Sequence, residues 1–358
     1  MSGFETIVGQ NQALRPLHQI LKSGRIPHSL LFSGIDGVGK RSAAVRLAMA
    51  CSCTRYAARQ RQSGRNSSEN PEEFSDYPCG QCGPCLRIAA GIHPDIISIH
   101  PEAGVIKIGE IRNLCRILSM KPFEGLVRVA ILTDAHLMNP PASNALLKML
   151  EEPPEHTLLI LTAKQSADLL PTIVSRCLHI RFNPISRPAL SGALIQHHGF
   201  DPEEASVVAA LAGGSFSRAL SMKKTTWMRW RSWLITELSR LGSSPFHVVL
   251  AFSEILSKNR DALSDVFEVM LSWFRDILIF TCDPAHVINR DYLEQIREAS
   301  RCCSKSGLVQ SVDAVKTAQV HIEAKTNIRL SMDHLLLRLW QHQNSGPLSA
   351  NPCRTAEG

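Results

Sequence analysis

No apolar run in this 358-residue chain reaches the roughly 18 residues of a membrane span. No secretory signal opens it, and charged residues make up only 20% of the chain. A transmembrane or a highly charged disordered protein is thereby excluded, and a soluble globular one is expected. Eleven cysteines invite a disulfide framework, but the number is odd and the spacing is of metal-ligand type, which points to a reducing, cytoplasmic setting. No single segment concentrates the formal net charge of +7 except the arginines between Arg55 and Arg65. That balance is compatible with nucleic acid nearby and equally with an ordinary, slightly basic surface.

The chain has enough apolar content, 44%, for two or three domains each with its own core. Between Ser29 and Phe182 short apolar runs alternate with helical patterns, which predicts a parallel sheet wrapped by helices. Strands are expected near Ser29–Phe32, Ile96–His100, Val127–Leu132, Leu158–Leu161 and Leu178–Phe182. Helices are expected over 40–52, 108–119, 142–151 and 168–175. Residues 54–78 have almost no aliphatic content and read as a mobile loop closed by Cys53 and Cys79. After Pro184 the pattern turns wholly helical. The spacing of Trp227, Trp230, Leu234 and Leu238, and of Leu263, Val266, Phe267, Met270, Trp273, Phe274 and Ile277, predicts core-facing helical stripes. The expected organisation is an α/β nucleotide-binding domain over 1–183 with a metal module at about 53–85. A helical lid would follow over 184–222, then a helical oligomerisation domain over 223–342 and a disordered tail over 343–358.

Two motifs carry chemistry. The first is Gly34, Gly37, Gly39 and Lys40 between a predicted strand and a predicted helix, the context of a phosphate loop whose amides cradle phosphate oxygens while the lysine reaches the terminal phosphates. Its magnesium chemistry is incomplete. Arg41 stands where a serine or threonine hydroxyl belongs, with Ser42 one place late, and the strand ending at Leu132 is followed by Thr133 and Asp134 rather than by two acids. Hydrolysis should be poor or absent. Whether ATP with Mg²⁺ binds at Gly34, Gly37, Gly39, Lys40, Ser42 and Asp134 is left open. The second motif is Cys79, Cys82 and Cys85 with the distant Cys53, four soft ligands suited to a structural Zn²⁺. Cys51 remains an alternative to Cys53, and His93 and Asp95 are either partners of a cysteine or residues of a turn.

These motifs occur together with Ile7–Gln10, Arg25–Phe32, Gly91–Asp95, Asn144–Pro154 and the triplet Ser175, Arg176, Cys177. In that company the chain resembles the clamp-loader subunits of bacterial DNA polymerase III, within the AAA+ superfamily, and among them the delta-prime type. The resemblance implies an AAA+ module with a five-stranded parallel sheet, a helical lid and a helical collar. It also implies a five-membered ring with gamma/tau ATPases and a delta subunit, and action on the sliding clamp and primer-template DNA. The whole assembly, a DNA-directed DNA polymerase and so a nucleotidyltransferase, would polymerise nucleotides. By the same resemblance Arg176 would act in trans as an arginine finger on a neighbouring subunit's nucleotide. Ser217 stands where active paralogues carry a phosphate-sensing arginine, with Arg218 one place later. Two alternatives stand beside this one: an active gamma/tau-type ATPase, and a zinc-dependent DNA-binding protein.

Overall fold

The computed structural model describes residues 3–62, 78–222, 227–324 and 326–344. The chain forms two compact units, the first made of residues 1–198 with 213–218, the second of 199–212 with 219–358. In the first unit the order is α1 (Asn11–Ser23), β1 (Ser29–Ser33), α2 (Lys40–Ser52), α3 (Thr54–Gln62), α4 (Gly83–Ala89), β2 (Ile96–Ile99) and α5 (Ile108–Leu118). It continues with β3 (Arg128–Leu132), α6 (Pro140–Glu151), β4 (Thr157–Ala163), α7 (Pro171–Val174), β5 (Leu178–Arg181) and α8 (Arg187–His198).

All five strands are parallel, in the order β2-β3-β4-β1-β5. Alternation along the central strands explains the two covered faces. Leu30 and Phe32 of β1, Val129 and Ile131 of β3, and Leu158 and Ile160 of β4 pack with α1 and α2. Their neighbours Leu31, Ala130, Leu132, Leu159 and Leu161 pack with α5 and α6 on the other side. Small residues let α2 lie close to the sheet: Ala43, Ala44, Ala48 and Ala50 are essentially inaccessible. α6 starts cleanly because Asn139 accepts a hydrogen bond from Ala142 N at 3.0 Å and prolines follow at its first positions. The fold expected from the sequence, a five-stranded parallel sheet flanked by helices and followed by a helical part, is present.

One expectation is corrected here. Residues 54–62 are not loop but helix α3, because Ala57, Ala58, Arg59 and Gln60 are good helix formers and Tyr56 anchors the turn by burying its ring and donating its hydroxyl to Leu21 O at 3.1 Å. Residues 63–77 lie outside the described residues, as do the final residues 345–358 of the expected tail.

The second unit is helical, with α9 (Pro202–Leu211), α10 (Phe216–Met222, whose first three residues belong to the first unit), α11 (Trp227–Arg240), α12 (Phe246–Lys258), α13 (Leu263–Phe280), α14 (Leu293–Cys302), α15 (Lys305–Glu323) and α16 (Ile328–Asn344). The stripe predicted on α13 is buried along its length, with Trp273 and Phe274 at its centre. Arg231 is also buried, and its two terminal nitrogens donate to Asp291 at 2.6 Å and 2.9 Å and to Asn289 at 2.6 Å. No helix among the described residues is long and apolar enough to cross a membrane.

Candidate functional site

The phosphate loop leaves the C-terminal end of β1 where strand order reverses, the place where open parallel sheets bind ligands. Gly34 and Gly37 adopt φ of +149° and +78°, conformations that side-chain-bearing residues seldom reach. A side chain at Gly34 would also collide with the Phe182 carbonyl. Gly39, at φ +101°, turns the chain into α2. Lys40 is 6% exposed. Its ammonium donates to Gly34 O and, at 3.1 Å, to Ile35 O, and lies 3.6 Å from Asp36 Oδ1. Burial lowers the lysine's pKa, and the charges of Asp36 and Asp134 only partly restore it. The other oxygen of Asp36 sits 3.0 Å from Lys164 Nζ. Gly37 O accepts hydrogen bonds from Phe216 N at 2.9 Å and Ser217 N at 3.4 Å, so the segment around Ser217 and Arg218 is stitched onto the loop.

Next to this loop a directed chain of donors runs from α2 to the end of β3. Arg41 Nη2 donates to His100 Nε2 at 3.2 Å, which leaves the proton of the neutral ring on Nδ1, facing Thr133 Oγ1. Thr133 Oγ1 then donates to Ile99 O at 2.7 Å. The chain requires a neutral imidazole, and burial, reinforced by the Arg41 charge, holds the His100 pKa below the usual histidine range. A divalent cation needs oxygen acceptors, preferably carboxylates; this arrangement presents a guanidinium and a neutral hydroxyl whose oxygen already accepts from His100. Ser42 is exposed, one residue further round α2. Asp134 takes up a left-handed conformation at φ +51° and donates its N–H to Thr162 Oγ1 at 3.0 Å.

Arg176 stands between α7 and β5. Its guanidinium lies 2.9 Å from Glu151 Oε1, at the end of α6, and donates to Thr172 O at 3.0 Å. Its carbonyl accepts from Ser29 Oγ at 2.7 Å. About a third of the side chain is exposed (36%). Burial pushes the neighbouring Cys177 thiol up to about 11, which keeps it protonated and inert.

The cysteine module is built from helix ends. Cys53 caps the C-terminus of α2, Cys82 caps the N-terminus of α4 and Cys85 lies in the first turn of α4. The sulfurs of Cys53, Cys79, Cys82 and Cys85 all lie within 4.8 Å of one another, Cys79 to Cys85 at 4.0 Å. A tetrahedron with Zn–S bonds of about 2.3 Å needs sulfurs about 3.8 Å apart, so the donor set fits a metal ion of that kind. A hydrogen bond from Cys85 draws the Cys53 thiol below the usual thiol range. Cys51, fully buried, is pushed up to about 12 by desolvation and stands outside the cluster.

His93 and Asp95 do other work. Asp95 is buried and accepts from the N–H groups of Phe123, Glu124 and Gly125 at 2.6 Å, 2.9 Å and 2.9 Å, and from Arg128 Nη2 at 3.0 Å. Burial alone would raise its pKa, but these donors hold it below the ordinary aspartate range. His93 accepts from Asp95 N at 3.2 Å, and its Nε2 lies 3.1 Å from Glu124 Oε1. The pair fixes the turn before β3. Sequence reasoning missed Asp36, Lys164, His100 and Glu151. The acid inside the glycine-rich loop was the one local signal, since the others meet their partners only through the sheet.

Over residues 9–186 the chain matches the family described as DNA polymerase III, delta subunit. It is 25% identical over 334 residues to DNA polymerase III subunit delta' of Bacillus subtilis, covering 92% of this chain and 96% of that one. Against subunit tau of the same organism it is 26% identical, covering 96% of this chain and 63% of tau. Against tau of Escherichia coli it is 34% identical over 224 residues, covering 61% of this chain and 32% of tau. Among solved structures, a gamma subunit-related protein of Thermotoga maritima is 21% identical at a TM-score of 0.46, covering 93% of this chain and 100% of that one. Taken with the phosphate loop, the cysteine module and the five-stranded sheet, the family match and the sequence relatives show that the chain belongs to the DNA polymerase III clamp-loader family of delta-prime and tau/gamma subunits.

Proposed function

We propose that this chain is a delta-prime-type clamp-loader subunit: it lends Arg176 in trans to the nucleotide of an adjoining gamma/tau ATPase while its own site does not hydrolyse ATP. The observation that carries this reading is the hydrogen-bonded run Arg41–His100–Thr133. Of the two positions from which a phosphate-loop enzyme holds magnesium, one is the Arg41 guanidinium, which cannot ligate it, and the other offers the neutral Thr133 hydroxyl, already paired with His100, in place of a carboxylate, so the site lacks the oxygen set that holds Mg²⁺. Correspondence over 96% of the length of a delta' subunit supports the same assignment. A guanidinium presented at a terminal phosphate stabilises charge spreading in the transition state, worth about 10³ to 10⁵ in rate for arginine fingers.

The proposed organisation is an α/β domain over 1–183, a lid over 184–222 and a collar over 223–342. The chain works in a cytoplasmic, five-membered ring with gamma/tau and delta subunits that loads the sliding clamp onto primer-template DNA. Cys53, Cys79, Cys82 and Cys85 would hold a structural Zn²⁺, tying the base of the inserted segment to α2 and α4. The test is the DNA- and clamp-stimulated ATPase rate of a reconstituted loader. Arg176→Ala in this subunit should lower it strongly and Lys40→Ala should leave it nearly unchanged. The higher identity to Escherichia coli tau, 34%, favours one second reading, an active gamma/tau-type ATPase; a neutral Arg176→Ala with an inactivating Lys40→Ala would establish that reading instead.

A further inference from the structure

We propose that Asp36 is the specificity-determining residue of the phosphate loop: its carboxylate takes the two ammonium groups that the phosphates of a nucleotide need, and so closes the loop to nucleoside triphosphates. The inference deepens the reading of a silent local site and rests on it.

An ammonium has three donors; Lys40 directs two of them at its own loop, to Gly34 O and to Ile35 O at 3.1 Å, and its charge is paired with Asp36 Oδ1 at 3.6 Å. Lys164, at the C-terminal end of β4, is the second cation over the loop, and it is held by Asp36 Oδ2 at 3.0 Å. One carboxylate therefore bridges both lysines, as a phosphate would, and carries the same sign of charge. An incoming triphosphate has to break these contacts and then sit beside the displaced carboxylate, with no divalent cation to screen the two. The loop cannot swing clear, because Gly37 O is tied to the amides of Phe216 and Ser217 and a side chain at Gly37 would collide with Ser215. Asp36 itself is exposed, 61% at its side chain, so replacing it leaves the core untouched.

The test is equilibrium dialysis of the full chain against labelled ATP, with and without Mg²⁺, for the wild type, Asp36→Asn, Asp36→Ala and the double variant Asp36→Ala/Lys40→Ala. The wild type should show no saturable binding through the millimolar range. Both single variants should bind at least about tenfold more tightly, the effect of lifting one opposing charge from an anion site, and the double variant should lose what was gained. The asparagine variant keeps the shape of the side chain, so a folding defect in the alanine variant leaves the question decidable. If both single variants bind as weakly as the wild type, the role of Asp36 is overturned while the silent-site reading stands. If the wild type itself binds and hydrolyses ATP, both fall together.

Discussion

The guanidinium of Arg176 and the carboxylate of Glu151 lie 2.9 Å apart at the surface of the first unit. Both side chains are more than a third exposed, so the pair adds little to stability, and its effect is to fix where the arginine points. Glu151→Gln should change the urea unfolding free energy of the isolated chain by less than about 0.5 kcal/mol. In the reconstituted loader the same variant should lower stimulated ATPase turnover less than Arg176→Ala does; equal unfolding and equal turnover in wild type and variant would show that Glu151 has no positioning role.

The cysteine module should carry one equivalent of zinc in the purified protein. Cys82→Ser should abolish it and lower the thermal midpoint by about 10 °C or more, because metal binding at such a site is folding free energy. Cys51→Ser should retain the metal. Metal analysis of the three proteins checks this, and retention by Cys82→Ser with loss by Cys51→Ser would reverse the ligand assignment.

Asp95 gathers three amides and an arginine around one buried carboxylate. Asp95→Ala leaves those donors unpaired and should cost about 3 to 5 kcal/mol. Because its folded pKa is depressed, its contribution is complete above the unfolded aspartate value of about 3.9 and is lost as pH falls through the folded value. Asp95→Asn should accordingly flatten the acid limb of the stability curve below about pH 4. An unchanged acid limb would remove Asp95 from the account.

His100 should titrate below the ordinary histidine value, since burial and then Arg41 depress it. The neutral ring belongs to the folded state, so its contribution is complete above the unfolded value of about 6.5 and fades as pH falls through the folded one. Arg41→Ala should move the imidazole titration, followed by NMR, upward toward that ordinary value. No movement would mean that the two side chains do not meet in solution.

The sheet was legible in the sequence because its central strands are buried on both faces and so read as short, continuous apolar runs between glycines and helical patterns. The helix over Thr54–Gln62 was not, because its charge hides the one buried ring, Tyr56, that anchors it. At the site, the departures at Arg41 and Thr133 were visible as single substitutions. That they are joined was not, since His100 reaches them from β2, a strand that neighbours β3 in space and precedes it by some thirty residues. The same holds for Lys164, which only the pairing of β4 with β1 brings to Asp36. Local chemistry is written locally, whereas who shares a proton with whom depends on strand order.

Strand β1 joins two of these places. At its first residue Ser29 holds the Arg176 carbonyl, and just past its last residue the chain becomes the phosphate loop. Five buried residues, about 16 Å of extended backbone, separate an arginine turned outward from a lysine turned inward. A strand pinned at one end by a self-satisfied loop is a fixed mount for whatever stands at the other. Under the proposed function, the silent loop at one end of β1 would be the anchorage against which Arg176 at the other end is aligned.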